Sequence, residues 1–435
     1  LRTNHRGILV ATILGSSLAF IDSTLVNVIL PKMQSDFGAD LSSAQWIIQS
    51  YGLFLSTFLL LGGSLGDRYG RKRLFQFGLF LFLSASVGCA LSPTFAFLLI
   101  ARSLQGLGAA MLTPGSLAII NATFPKESRA KAIGVWSGFS AISAAIGPAF
   151  GGWISDTVGW RWSFLINVPL GAIAIVVASR SIPDDCGEKK SAHLDYFGTL
   201  LSTIGIGSLV FSLTEKSLIG FLGGVFFLIA FLLFESKTPH PILPLNIFKS
   251  RLFSLTNALT FIFYAALSGS FFNLSLHLIN ADSYSSAEAG LATLPFVILL
   301  SSLSRWTGGL LDKLGAKLML TAGPLITGLG FGLFALLTAP GKSYWVSYFP
   351  CMVVAGFGMA FTVAPLTTAV LGSLDDAQSG LASGVNNTAA RTAGLFGVSL
   401  VTLALVHDLS FHLICLGIAG LCAVSAIFGF AIVTD

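Results

Sequence analysis

Charge is scarce in this chain. Asp, Glu, Lys and Arg make up 10% of its 435 residues, apolar types make up 54%, and the mean hydropathy is +0.84. Water-soluble domains carry about 25% charged residues, so a soluble fold is excluded and the chain is expected to live in lipid. Cysteine is sparse as well. Cys89, Cys186, Cys351, Cys415 and Cys422 show no metal-type spacing, and all but Cys186 lie in apolar runs, so neither a disulfide framework nor a metal site is expected. The sequence has no GxxxxGK[ST] phosphate loop and no soluble domain to carry one, which argues against ATP-driven transport and leaves no cofactor to expect. His193 and His277 are too isolated to build a catalytic cluster, so an enzyme is not expected either. The pI near 9.0 has its ordinary source in the cytoplasmic loops of a membrane protein, and no nucleic-acid partner is inferred from it.

Long apolar runs fill the chain instead. A membrane span needs about 20 mostly apolar residues, and such runs lie near 7–30, 44–66, 74–92, 95–121, 130–153 and 162–179. After a polar segment come two shorter runs, 197–213 and 217–234, joined by Thr214-Glu215-Lys216, and then six more near 252–279, 287–311, 316–338, 344–370, 377–406 and 409–433. The first run is too long for a signal peptide and contains Asp22, so it reads as a retained helix. The expectation is an all-α integral membrane protein with fourteen transmembrane helices. Residues 1–180 would form one six-helix half and 251–435 the other, with 181–250 holding cytoplasmic linker segments and an inserted two-helix hairpin at about 197–234. One alternate set of loops holds 17 of the 24 Lys and Arg residues, against only Lys32, Arg161, Lys216 and Lys342 on the other side. The positive-inside rule then puts both termini in the cytoplasm.

A repeat supports two halves independently. Gly63-Ser64-Leu65-Gly66-Asp67-Arg68-Tyr69-Gly70-Arg71-Lys72 returns 245 residues later as Gly308-Gly309-Leu310-Leu311-Asp312-Lys313-Leu314-Gly315-Ala316-Lys317. Internal duplication is a common way to build a transporter with its substrate site near the midplane. The first copy resembles the loop between helices 2 and 3 of the major facilitator superfamily. Asp22 to Pro31 and Arg102 to Gly108 resemble the first- and fourth-helix motifs of its drug:proton antiporters, and Gly147-Pro148-Ala149-Phe150-Gly151-Gly152 resembles their helix 5 motif. The segments Trp160 to Pro169, Leu194 to Gly198 and Asn386 to Gly394 resemble the fourteen-helix branch, a group of multidrug efflux transporters. What this resemblance implies is the major facilitator fold in a bacterial cytoplasmic membrane, as a monomer surrounded by lipid, exporting small amphipathic compounds in exchange for protons by alternating access; proton-coupled uptake or export of a specific metabolite, siderophore or lipid on the same fold is the alternative. It also implies a conformational gate at Gly63, Asp67, Arg68, Gly70, Arg71, Lys72, Asp312 and Gly315 that holds the halves together on the cytoplasmic side.

The intramembrane charges are the candidates for chemistry. Asp22 is the acid placed clearly inside a span, nine residues before Pro31, or roughly 14 Å below an outer end at that proline. A short side chain cannot reach water from there, and a buried ionisable group in lipid is a functional hypothesis by default. Arg102, nine residues after Pro93 on a helix running the other way, reaches a similar depth, so the two are expected to pair and to couple protons. In the fifth helix Gly138, Gly147, Pro148, Gly151 and Gly152 are read, with Gly134, as a close-packing pattern that resists proton leak. Trp46, Gln49, Tyr51, Gln105, Asn386, Asn387 and Arg391 are the candidates for a substrate cavity. Arg305 lies near an inner helix end and receives no role.

Overall fold

In a computed structural model of the chain, the described residues are 5–184, 195–339, 342–374 and 378–432, without the side chains at 67, 126, 127, 130, 131, 141, 145, 305, 312, 379 and 380. Among them every regular element is helical: α1 His5–Phe37, α2 Leu41–Tyr69, α3 Arg71–Ala90, α4 Phe95–Thr123, α5 Lys126–Thr157, α6 Trp160–Leu165, α7 Asn167–Ser181, α8 Tyr196–Glu215 and α9 Leu218–Glu235. A 3₁₀ turn at Leu245–Lys249 precedes α10 Arg251–Asn280, α11 Ser286–Ala292, α12 Leu294–Leu337, α13 Tyr344–Ser347, α14 Phe349–Leu371, α15 Ser379–Val406 and α16 Phe411–Ala431. Fourteen segments of these helices are long and apolar enough to cross a membrane, one for each run read from the sequence.

The differences from the sequence reading are local. The first helix does not end at Pro31 but continues to Phe37 and stops at Gly38, whose φ is +61°. In lipid a helix tolerates proline when neighbours satisfy the freed carbonyl. Asp22 therefore lies 15 residues from the C-terminal end of α1, roughly 22 Å along the axis, instead of nine residues from an end at Pro31. The sixth run breaks at Ile166, so that Asn167 opens α7. The run at 287–311 opens in α11, breaks at Thr293 and then continues with the run at 316–338 as α12, which is interrupted only in backbone angle at Gly315.

The helices group into two compact units. The first comprises Leu1–Leu209, Ile219–Ile242 and Ser285–Gly290, and the second Val210–Leu218, Leu243–Tyr284 and Leu291–Asp435. Most of α8 and α9 thus groups with the first unit, and their connecting tip with the second. In the first unit Tyr51, Leu55, Phe75, Leu79, Phe82 and Leu112 form a continuous apolar core across α2, α3 and α4. Small residues bring these backbones together: a Cβ on Gly106 would stand 2.3 Å from the carbonyl oxygen of Tyr51, so only glycine permits α4 to lie against α2 there. Within the second unit Gly397 performs the same service, since its Cβ would meet the Ala265 carbonyl oxygen at 2.0 Å where α15 crosses α10.

Candidate functional site

Asp22 and Arg102 meet. Arg102 Nη1 donates to Asp22 Oδ2 at 2.5 Å, with the arginine side chain 1% and the aspartate 0% exposed. Five other elements complete the enclosure. Arg102 Nε donates to the Ile47 carbonyl of α2 at 3.0 Å, and its guanidinium lies 4.4 Å from the ring centre of Tyr51 and 5.6 Å from that of Phe164 on α6. Tyr51 in turn donates its hydroxyl to the Ala19 carbonyl of α1 at 3.1 Å. A cation over aromatic faces in a dry interior gains about 2 kcal/mol or more, which helps hold the guanidinium far from water.

The second carboxylate oxygen is held by amides. Gln105 Nε2 donates to Asp22 Oδ1 at 2.8 Å and to Ser86 Oγ on α3 at 2.9 Å, while Gln105 Oε1 accepts from Arg102 Nη1 at 2.6 Å and from the Cys89 thiol at 3.6 Å. Asn167 Nδ2, at the start of α7, approaches Asp22 Oδ1 at 3.4 Å and Ser86 Oγ at 3.3 Å. Every group directed at Asp22 is a donor, so the arrangement suits the ionised carboxylate. Gln105 and Tyr51, expected along a substrate cavity, are both part of this enclosure. Ser86 and Asn167 were not anticipated as members of the site. Asn167 stood only inside a motif, and a serine in an apolar helix has a bland use that Ser86 also fulfils, donating to the Phe82 carbonyl at 2.9 Å.

Helix α5 forms the wall behind Asp22. A Cβ on Gly147 would come within 2.2 Å of Thr24 Oγ1 and 2.9 Å of the Ile21 carbonyl oxygen, and one on Gly151 within 2.6 Å of Leu25 Cβ. The glycines thus seat α5 directly on the turn of α1 that carries the acid. Gly152 abuts the Ser286 carbonyl oxygen, where a Cβ would stand at 2.3 Å. Gly134 and Gly138 differ: among the described residues nothing lies within 4 Å of the Cβ position of either.

A sequence profile described as the Major Facilitator Superfamily matches residues 12–398 and 256–435. The chain belongs to that superfamily. The transporter is 30% identical over 412 residues to the "Multidrug resistance protein Stp" of Mycobacterium tuberculosis, covering 92% of this chain and 76% of that one. It is likewise 30% identical over 410 residues to the "Methylenomycin A resistance protein" of Bacillus subtilis, covering 92% and 87%. Among solved structures, a POT family transporter in complex with 5-aminolevulinic acid superposes with a TM-score of 0.75 at 15% identity, over 98% of this chain and 95% of that one, a likeness of fold.

The repeated loop of the transporter shares one backbone feature in both copies. Gly70 has φ +98° and ψ 128°, and Gly315 has φ +75° and ψ 154°, a region open in practice to glycine alone. Among the described residues neither has an atom within 4 Å of its Cβ position, so it is the backbone angle that demands glycine. Arg71 Nη1 donates to the Ala118 carbonyl at 3.0 Å, and Lys72 Nζ reaches the Ser179 carbonyl at 3.0 Å and Asp184 at 2.9 Å. The Lys72 hydrogen bond, aided by its charge, holds the Asp184 carboxyl below its ordinary range. Gly63 is uncrowded and Arg68 lies 5.5 Å from the Tyr69 ring centre, whereas the side chains of Asp67 and Asp312 lie outside the described residues.

The remaining cavity candidates divide between the units. Gln49 is buried and Trp46 half-buried on α2 of the first. In the second, Asn386 Nδ2 donates to Thr260 Oγ1 at 2.7 Å and to Asn257 Oδ1 at 3.2 Å, tying α15 to α10, while Asn387 and Arg391 are half-buried farther along α15. A groove of about 490 Å³ follows Ser302, Trp306, Gly309, Leu310 and Lys313 along one face of α12. No signal in the sequence marked Ser302 or Trp306.

Proposed function

We propose that the transporter is a proton-coupled antiporter that exports small amphipathic compounds across the bacterial cytoplasmic membrane by alternating access. The carrying observation is the Asp22–Arg102 pair, fully buried in helices that cross lipid. A charge there is costly enough to demand a use. The arrangement described favours the carboxylate. Proton uptake from the acidic outer side breaks the pairing with Arg102, and return to the present geometry expels the proton inward, so that occupancy follows conformation. The close seating of Gly147 and Gly151 on the same turn excludes the water through which protons would leak. Relatives named for multidrug and methylenomycin A resistance support export. With one buried acid facing Arg102 and with Arg391 in the second unit, neutral, zwitterionic or singly cationic substrates fit better than dications.

The same reading makes the transporter a monomer with both termini cytoplasmic, two six-helix halves, and α8 and α9 as an inserted hairpin. The duplicated loop with Gly70 and Gly315 serves as the conformational gate. Sidedness-controlled proteoliposomes carrying a pH gradient, screened with dyes and small amphipathic drugs, test the proposal: substrate is expected to move against its gradient only while protons move oppositely. Movement that ignores the pH gradient, or accumulation toward the cytoplasmic side, overturns it.

A further inference from the structure

The two amides that touch Asp22 are not equivalent. Gln105 is fixed by its partners: its Oε1 accepts from the Arg102 guanidinium and its Nε2 donates to the carboxylate. Turning that amide over would set oxygen against carboxylate and N–H against guanidinium, both repulsive. Asn167 stands differently. It is 0% exposed, its Nδ2 is shared between two long contacts of 3.3 and 3.4 Å, and its Oδ1 is buried with no hydrogen-bond partner. The orientation follows from the network. Ser86 has a single hydroxyl hydrogen, directed to the Phe82 carbonyl, so its lone pairs accept from Gln105 and Asn167, and the ionised Asp22 also requires a donor.

An orphaned carbonyl in a dry site is costly. While Asp22 is ionised, rotating the Asn167 amide by half a turn would give up both donor contacts and set its carbonyl against the carboxylate and the Ser86 lone pairs, so the two orientations can exchange rank only when Asp22 takes a proton. The protonation state of Asp22 then decides between them. An ionised carboxylate needs the N–H side, and a carboxylic acid, which carries a hydrogen of its own, needs an acceptor. We infer that Asn167 is a positioning residue for the proton, an amide switch that turns its carbonyl to Asp22 and accepts the acid O–H when the proton arrives. The ionisable groups that face this place are Arg102 on α4, Cys89 on α3 and Tyr51 on α2, and none of the three offers Asp22 an acceptor in the present geometry. The inference rests on the proposal that Asp22 carries the coupled proton.

Infrared difference spectra of the reconstituted transporter, recorded as pH is lowered, test it. In the wild type a carboxylic acid band should rise in step with a shift of one side-chain amide band. Asn167→Ala should abolish the amide shift, raise the frequency of the acid band as expected for a carboxyl without an acceptor, and move its midpoint roughly half to one pH unit toward acid, the worth of one lost neutral hydrogen bond. The present 3.4 Å donor contact is too long to offset that loss. Asn167→Thr, whose hydroxyl can donate or accept, should restore most of the midpoint. An amide band that stays constant through the titration, or an Asn167→Ala variant that titrates like wild type, overturns the switch. If Asp22→Asn retains the acid band, the coupling proposal itself fails. If Asp22→Asn loses the band while the amide stays still, only the switch fails.

Discussion

Replacing Arg102 by methionine, which keeps much of the side-chain length and removes the charge, leaves Asp22 fully enclosed with only amide donors. Removing one partner of a buried ion pair costs about 3–5 kcal/mol because the other charge stays uncompensated. The carboxyl escapes most of that cost by taking a proton and keeping it. A transporter that cannot release its proton is expected to bind substrate and exchange it passively, yet to fail at uphill export. Asp22→Asn leaves the buried guanidinium without its anionic partner and should cost a similar amount. The double variant removes both charges, so its loss should fall short of the sum of the single losses by about 2–3 kcal/mol, the upper part of the range for residues in contact. Thermal unfolding of the detergent-solubilised variants reads the cycle, and substrate-induced proton movement in proteoliposomes reads the function. Additive single losses, or wild-type proton flux in Arg102→Met, would refute the reasoning that the two side chains act as one unit.

Gly70→Val and Gly315→Val should each cost about 1–3 kcal/mol through backbone strain alone; turnover should fall while substrate affinity, measured by equilibrium binding, holds, and a parallel loss of affinity would argue against a gate. Gly147→Val should prevent α5 from seating on Ile21 and Thr24 and cost about 1–3 kcal/mol by overpacking, whereas Gly138→Ala, with open space at its Cβ position, should leave stability and transport unchanged; a silent Gly147→Val in a thermal and transport assay would remove the wall from the mechanism. Lys216→Cys, in the break between α8 and α9, should react with an impermeant thiol reagent only from outside the cell, and labelling confined to the cytoplasmic side would overturn the hairpin topology.

Much of the helical layout was legible because lipid writes it in hydrophobicity: each of the fourteen apolar runs became a span. The ion pair was legible for the converse reason, since a charge inside such a run stands out. What escaped the sequence has a common physical cause, the ambiguity of small polar residues. Ser86 and Asn167 are residue types that satisfy their own backbone or cap a helix in countless apolar segments, and only the break at Ile166 aims Asn167 at Asp22. Tyr51 and Gln105 were visible as polar residues, but whether they face a cavity or a carboxylate depends on which way α2 and α4 are turned. Pro31 misled because the penalty for interior proline is set by the surroundings and not by the proline. The glycines of α5 all looked alike, and only their neighbours separate Gly147 and Gly151 from Gly134 and Gly138.

Among the described residues, the side chains found against the Asp22–Arg102 pair come from α1 to α7, within the first unit. On the proposed reading, coupling and specificity are then heritable separately. On that reading, mutations in α10, α12 or α15, which belong to the second unit, are expected to reshape what the transporter accepts while leaving the buried pair of the first unit in place. What the chain accepts and how its transport is energised would then be open to change by separate substitutions, one unit at a time.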